Sequence, residues 1–238
     1  MNSLDLDILM PVHNEEKILP NLISEIDRNI NGKVSYRIII CEDGSSDNSV
    51  EVIKKLQEIF PIDLITTKDK RGYSRAMLDG IKNARANYLL LMDSDGQSNP
   101  EEILNFWFNR EKANIICGNR ANRNDYMYRK LYSKIAFNLY NMLFNLPIKD
   151  PSYAFVLVER NAYTKLSDFN PEMPDGFFWE FNARASKLGF NFFNIDVVHN
   201  KRQYGETRIY SIKNLPKVTY TNLLGLLKVK FKKNDDKS

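Results

Sequence analysis

The first half of the chain alternates between two kinds of hydrophobic pattern. Leu4 to Val12 is almost continuously apolar and predicts a strand, whereas Glu15 to Asn29 spaces its apolar residues three and four apart and predicts an amphipathic helix. The two signals then repeat, with strands expected over Tyr36 to Cys41, Asp63 to Thr66, Tyr88 to Met92 and Asn114 to Cys117, and helices over Asp47 to Phe60 and Ser74 to Arg85. Helix starts are marked by Asn14 ahead of Glu15 and Glu16, by Asp47, and by Ser98 with Pro100 and Glu101. Strands that alternate with helices build βαβ units, so the expected fold is α/β with a mostly parallel central sheet flanked by helices.

The second half is less regular. Arg129 to Asn145 has helical spacing, Tyr153 to Val158 and Phe190 to Val198 read as strands, and Phe177 to Leu188 is helical up to Gly189. A basic, partly amphipathic helix is expected over Ile212 to Lys233. Without a repeat or low-complexity linker, the economical division is one α/β domain over residues 1–210 and a basic C-terminal extension over 211–238.

Composition narrows the class. Hydrophobic residues at 43% and charged residues at 27% are globular values, which excludes general disorder. The net charge of +4 is unevenly placed: residues 201–238 hold ten Lys or Arg against three acidic residues, leaving the first 200 slightly acidic. An anionic partner for the C-terminal end follows, such as a membrane surface, a phosphate or a nucleic acid. A basic excess confined to the tail argues against a nucleic-acid binder. Cys41 and Cys117 lie in apolar runs without a metal-site spacing, which fits a reducing, cytoplasmic setting. Neither a signal peptide nor a spanning segment is read, so the expected place is the cytoplasm or the cytoplasmic face of a membrane. Oligomeric state is not read from the sequence.

The candidate chemistry lies in three loops that follow three of the strands. They are Pro11-Val12-His13-Asn14-Glu15-Glu16, Glu42-Asp43-Gly44-Ser45-Ser46-Asp47 and Asp93-Ser94-Asp95-Gly96-Gln97. In open α/β sheets, ligands bind outside the carboxyl ends of the strands. If the strands are parallel, one cleft gathers all these carboxylates, which repel one another unless a cation or ligand donors lie between them. Asp93 and Asp95, hard oxygen ligands one residue apart, suit Mg²⁺ or Mn²⁺ on a diphosphate. Asp43, at the end of the second strand, is the candidate acceptor for a nucleobase or ribose. A glycine-rich dinucleotide fingerprint and a Walker loop are both absent from the sequence.

These loops resemble those of the family 2 glycosyltransferases with a GT-A fold, most closely the dolichyl-phosphate and polyprenyl-phosphate sugar transferases. Pro11 to Glu15 resembles that family's Pro-x-Tyr-Asn-Glu, Glu42 to Ser45 its Asp-Asp-x-Ser, and Asp93 to Gln97 its Asp-x-Asp-x-Gln. The likeness continues through Gly118-Asn119-Arg120, Arg129 to Ser133, Ile148 to Pro151 and Arg202 to Thr207. It implies an inverting transfer of a sugar from a UDP- or GDP-sugar to a polyprenyl phosphate. Pro11, His13, Glu15 and Asp43 would meet the nucleoside; Asp93, Asp95 and Gln97 would hold the metal; Arg71 would reach phosphate. Arg120, Arg129, Ser133 and Arg202 would grip the acceptor phosphate.

The departures are His13 for Tyr, Glu42 for Asp, Tyr153-Ala154-Phe155 for a Ser-Gly-Phe-like segment and Thr207 for Ser, and they leave acceptor identity open. A sugar-hydroxyl acceptor would need a general base, for which Glu180 is the candidate, its alternative being an ion pair with Arg184 four residues on. A sugar nucleotidyltransferase or a non-catalytic nucleotide-binding scaffold remain as readings from other classes. The C-terminal helix is expected either to lie on anionic lipid or to pack on its own domain.

Overall fold

In the computed structural model, which describes residues 4–120, 137–198, 200 and 215–232, the apolar runs become the interior of a layered α/β structure. The chain order is β1 (Leu6–Val12), α1 (Leu19–Ile30), β2 (Tyr36–Asp43), α2 (Ser49–Gln57), β3 (Ile62–Thr67), α3 (Tyr73–Asn83), β4 (Tyr88–Met92) and α4 (Glu102–Phe108). There follow β5 (Ile115–Arg120), α5 (described over 137–144), β6 (Phe155–Glu159), α6 (Arg160–Lys165), α7 (Phe177–Lys187), β7 (Phe192–Val197) and α8 (Leu215–Phe231).

Among the described residues the strands form a seven-stranded sheet in the order β3-β2-β1-β4-β6-β5-β7. β1 pairs in parallel with both β2 and β4, and β2 with β3, while β6 runs antiparallel between β4 and β5. The register sets Val12 opposite Glu42 and Asp43 opposite Thr67, so these strands end level on one edge. Because β6 is reversed, Phe155 starts it opposite Met92 on that same edge. The chain moves outward from β1 to β3 and then returns to place β4 on the other side of β1. The carboxyl ends of β1 and β4 therefore flank the point where successive loops diverge, the usual site of a ligand crevice.

The core lies on both faces of this sheet. Side chains alternate along each strand, so Ile8 and Met10 join α1, α2 and α4 on one face, while Leu9 joins α3, α5, α6 and α7 on the other. At the opposite edge of the sheet from the three loops, Asp7 is fully buried. It accepts two bonds of 2.8 Å from Arg37, and the backbone N–H groups of Arg85 and Ala86 at 2.7 and 2.9 Å. With four donors and the Arg37 counter-charge against it, this charge is tolerated where an unpaired one is not.

One expectation is corrected, and one element is new. The first helix begins at Leu19, with Pro20 in its first turn, and not at Glu15. Asn14 adopts a left-handed φ of 62°, outside the helical region, and residues 14–16 direct their N–H groups to side chains of the second loop and the start of α2. The short α6 directly follows β6 and was not foreseen; six residues are too few for a periodic signal.

The C-terminal helix packs on the domain, with Leu226 and Val229 buried in the same cluster as α7. Lys187 of α7 donates to the terminal carbonyls of Val229 and Lys232 at 2.8 and 2.7 Å, where the helix dipole favours a cation. Tyr220, Leu224 and Phe231 stay exposed on α8 beside Lys228, Lys230 and Lys232. Among the described residues no helix is long and apolar enough to cross a membrane.

Candidate functional site

The first two loops are joined side to side. Backbone N–H groups of Asn14, Glu15 and Glu16 donate to Ser45 Oγ (2.9 Å), Ser49 Oγ (2.9 Å) and Asp47 Oδ2 (3.2 Å). In return Asn14 Oδ1 accepts from the Ser46 N–H at 2.8 Å, and Glu16 Oε2 from the Asn48 N–H at 3.0 Å. Burial works against the Asp47 carboxylate, but bonds from Ser49 and the Glu16 N–H outweigh it and hold its pKa below the usual carboxylate range. His13 places Nδ1 3.0 Å from the Asp43 carbonyl, which can only accept, so Nδ1 carries the proton in this contact. Pro11 is buried at the end of β1, and Glu15 is half-buried in the loop.

Asp43 is almost fully buried. Its two carboxylate oxygens accept the backbone N–H groups of Arg71 (2.7 Å) and Gly72 (2.8 Å), docking the β3–α3 turn on the second loop. The turn lies so close that a Cβ on Gly44, which has φ of 65°, would stand 2.8 Å from the Lys70 nitrogen. The Arg71 backbone faces the site, while its guanidinium lies back along α3 in an ion pair with Asp79. Its charge is already compensated before any phosphate arrives.

The third loop closes the arrangement. Ser94, between the two carboxylates, is buried and donates to the Pro11 carbonyl at 2.7 Å, pinning the end of β4 to the end of β1. Its neighbours Asp93 and Asp95 remain half-exposed. Asp93 Oδ1 accepts the Tyr73 hydroxyl at 2.6 Å, and Tyr73 directly follows the Gly72 that Asp43 holds. A ring of contacts therefore runs from Pro11 through Ser94, Asp93, Tyr73 and Gly72 to Asp43 and His13. Asp95 Oδ1 accepts the Gln97 N–H at 3.0 Å in a tight turn, and the Gln97 amide reaches the Asn200 carbonyl at 3.4 Å.

As a metal site this is an open pair. Among the described residues no group of three or more His, Cys, Asp or Glu side chains is arranged to hold an ion. Two half-exposed carboxylates nevertheless fit Mg²⁺ or Mn²⁺, because a small hard cation takes one or two carboxylates and completes its shell with water and substrate phosphates. The cysteines do not contribute: burial pushes the Cys41 thiol up to about 12, and Cys117 is raised further by complete burial.

On the other side of the edge, Arg120 ends β5 and makes a bidentate pair with Asp150 at 2.7 and 3.0 Å, with Ser152 Oγ at 3.0 Å. Its guanidinium lies 4.9 Å from the centre of the Tyr153 ring. Burial raises the Tyr153 hydroxyl to about 12, so it stays protonated beside Ser98, 3.1 Å away. Arg120 is thus a shaped and partly screened cation. Arg129, Ser133 and Arg202 lie outside the described residues.

Glu180 forms the ion pair with Arg184 that the sequence offered as the alternative to a general base. Only 1% of its surface is exposed. Oε2 accepts the N–H groups of Glu172 and Met173, both at 2.8 Å, and Oε1 accepts two bonds from Arg184 at 2.9 and 2.7 Å. With both oxygens doubly engaged, this carboxylate is a tie between α7 and the preceding segment, not a base poised over a cleft. The sequence reading did not single out Tyr73, Ser94 or Asp150. Ser94 lies between two candidate metal ligands just after an apolar strand, whereas nothing local to Tyr73 or Asp150 reveals their partners.

A family model for glycosyl transferase family 2 matches residues 7–167. The chain is 26% identical over 225 residues to undecaprenyl-phosphate 4-deoxy-4-formamido-L-arabinose transferase of Proteus mirabilis, an alignment covering 90% of this chain and 65% of that protein. It is 29% identical over 169 residues to dolichol-phosphate mannosyltransferase of Pyrococcus furiosus, covering 67% of this chain and 47% of that one. The chain thus spans less than two thirds of the length of either relative. Among solved structures, glucosyl-3-phosphoglycerate synthase from Mycobacterium tuberculosis in complex with Mn²⁺, UDP-glucose and phosphoglyceric acid superposes with a TM-score of 0.69 at 14% identity, covering 95% of this chain and 79% of that one. Mannosyl-3-phosphoglycerate synthase from Rubrobacter xylanophilus gives 0.64 at 14% identity, covering 94% and 73%. At such identities the structural likeness shows the fold alone.

Proposed function

Because the chain belongs to glycosyl transferase family 2 and has the GT-A fold, we propose that it moves a sugar, with inversion, from a nucleotide diphosphate to a polyprenyl phosphate. The observation that carries this is the ring of contacts at the β1–β4 divergence, which links Asp93 through Tyr73 and Gly72 to Asp43 and His13, with Asp95 two residues on from Asp93 in the same loop. Nucleoside on one side of that ring and diphosphate on the other is the arrangement a sugar nucleotide fits. The names of the Proteus and Pyrococcus relatives support a lipid phosphate as acceptor.

In this reading His13 and Asp43 meet the nucleoside, and Asp93 and Asp95, with Gln97 beside them, hold Mg²⁺ or Mn²⁺. The cation supplies charge stabilisation for the departing diphosphate. A phosphate acceptor arrives already ionised, so the protein must orient it and has no proton to remove. Arg120, presented rigidly by Asp150 and Tyr153, is suited to that orienting task, together with Arg129, Ser133 and Arg202. The burial of Glu180 favours this acceptor over a sugar hydroxyl, which would require a base within reach. Tyr220, Leu224 and Phe231 beside the exposed Lys230 support contact with the cytoplasmic face of an anionic membrane, where such an acceptor resides, whereas Lys228 and Lys232 already pair with Glu172. Co-sedimentation with phosphatidylglycerol vesicles tests this, and equal binding to neutral vesicles would refute a role for the lysines.

The direct experiment is calorimetry with UDP and GDP, with and without Mn²⁺, followed by product analysis with undecaprenyl phosphate and a panel of nucleotide sugars. A lipid-linked sugar is the expected product. Transfer to sugar hydroxyls alone would overturn the acceptor assignment, and nucleotide uptake indifferent to Mn²⁺ would overturn the metal site.

A further inference from the structure

Tyr73 is held from both ends. Its backbone follows Gly72, whose N–H is bonded to Asp43 Oδ2 at 2.8 Å, with the adjacent Arg71 N–H bonded to Oδ1 at 2.7 Å. Its ring stands against Phe177 and Phe178 of α7, centroids 6.4 and 6.5 Å away. A phenol fixed at backbone and ring has its oxygen fixed as well, and that oxygen donates to Asp93 Oδ1 at 2.6 Å. Ser74, the next residue, anchors the start of α3 further by donating to the carbonyls of Met173 and Pro174 at 3.0 and 2.8 Å.

We infer that Tyr73 is a positioning residue for the metal centre: its hydroxyl sets the Asp93 carboxylate for the cation and links that carboxylate, through Gly72, to the Asp43 carboxylate on the nucleoside side. This rests on the reading of Asp93 and Asp95 as metal ligands given above. A ligand carboxylate on a loop has a freely turning terminal torsion, and ordering it on metal arrival lowers affinity. A hydroxyl on a braced helix start removes that freedom beforehand. Partners of this kind commonly change metal affinity by about 10- to 100-fold when they are removed. The link has a second consequence: any displacement of the β3–α3 turn by a nucleoside bearing on Asp43 moves the Tyr73 oxygen, so the two halves of the donor site are mechanically joined.

The test uses the full chain and Tyr73→Phe, which keeps the ring and its contacts with Phe177 and Phe178. Mn²⁺ is titrated in the presence of saturating UDP or GDP, and free Mn²⁺ is read by its electron paramagnetic resonance signal. The expected result is a Mn²⁺ dissociation constant raised about tenfold, with the metal-free nucleotide affinity and the melting temperature near those of the wild type. Activity lost at low Mn²⁺ returns as Mn²⁺ is raised, which a packing defect would not do. In an Asp93→Asn background, Tyr73→Phe makes no further difference to Mn²⁺ binding. An unchanged Mn²⁺ affinity in Tyr73→Phe, or an equal loss in the Asp93→Asn background, overturns the positioning role while leaving the metal site standing. Absence of nucleotide-dependent Mn²⁺ uptake in the wild type overturns the metal site itself, and the inference with it.

Discussion

Replacing Glu180 by Gln separates a structural carboxylate from a catalytic one. The native side chain accepts four bonds, two from the Glu172 and Met173 N–H groups and two from Arg184, while 1% exposed. A glutamine offers one oxygen, so it keeps at most two of the four and turns an NH₂ group against donors. Removing one partner of a buried ion pair costs about 3–5 kcal/mol. Arg184 retains some relief, since it is partly exposed and lies 4.4 Å over the Phe169 ring, which places the expected loss near ~3 kcal/mol. For a chain of this length that corresponds to a fall in melting temperature of roughly 6–12 °C. Calorimetric melting measured beside the single-turnover rate at saturating donor reads both quantities. A general base would behave oppositely, with the rate down about 10²- to 10⁴-fold and the melt unmoved. An unmoved melt with the rate abolished would therefore refute the structural assignment and reopen a hydroxyl acceptor.

The other predictions concern the ring of loops. Asp95→Asn keeps the oxygen that accepts the Gln97 N–H, so stability should change by only about 0.5 kcal/mol while Mn²⁺-dependent nucleotide uptake is lost; calorimetry that still shows the uptake refutes the ligand role. Gly44→Ala forces an alanine to φ of 65° with its Cβ 2.8 Å from the Lys70 nitrogen. The left-handed conformation alone costs about 1–2 kcal/mol, and the displaced turn should also weaken nucleotide binding, which titration beside a thermal melt checks. The depressed pKa of Asp47 gives stability that is fully present above the unfolded carboxylate value, near ~4, and is lost as pH falls through the lower folded value. Melting temperatures from pH 6 to pH 3 should show a smaller acid loss in Asp47→Asn than in the wild type, and identical slopes would refute the assignment.

Much of this was legible in one dimension. Strand interiors such as Leu89 to Met92 are buried on both faces and so must be continuously apolar, which is why β1, β2 and β4 could be read and ordered into βαβ units. The three loops were legible because each sets carboxylates directly after an apolar strand, and parallel strands open their carboxyl ends on one side. The start of α1 was misread because Asn14-Glu15-Glu16 has the composition of a helix cap, while its real partners, Ser45, Ser49 and Asp47, lie more than thirty residues away.

By itself, then, the sequence determined the alternation of layers, the edge on which the polar loops gather and the hard-oxygen character of the Asp93 and Asp95 pair, because each follows from local period or local chemistry. Only the tertiary structure decided which charges are already taken. Arg71 is engaged by Asp79, Arg120 by Asp150 and Glu180 by Arg184 and two backbone N–H groups, and Tyr73 was found to brace Asp93. The reason is physical: in a low-dielectric interior a charge is satisfied by whatever donor or acceptor packing brings within about 3 Å, and apart from the Arg184 pair, one helical turn from Glu180, sequence spacing does not reveal that neighbour.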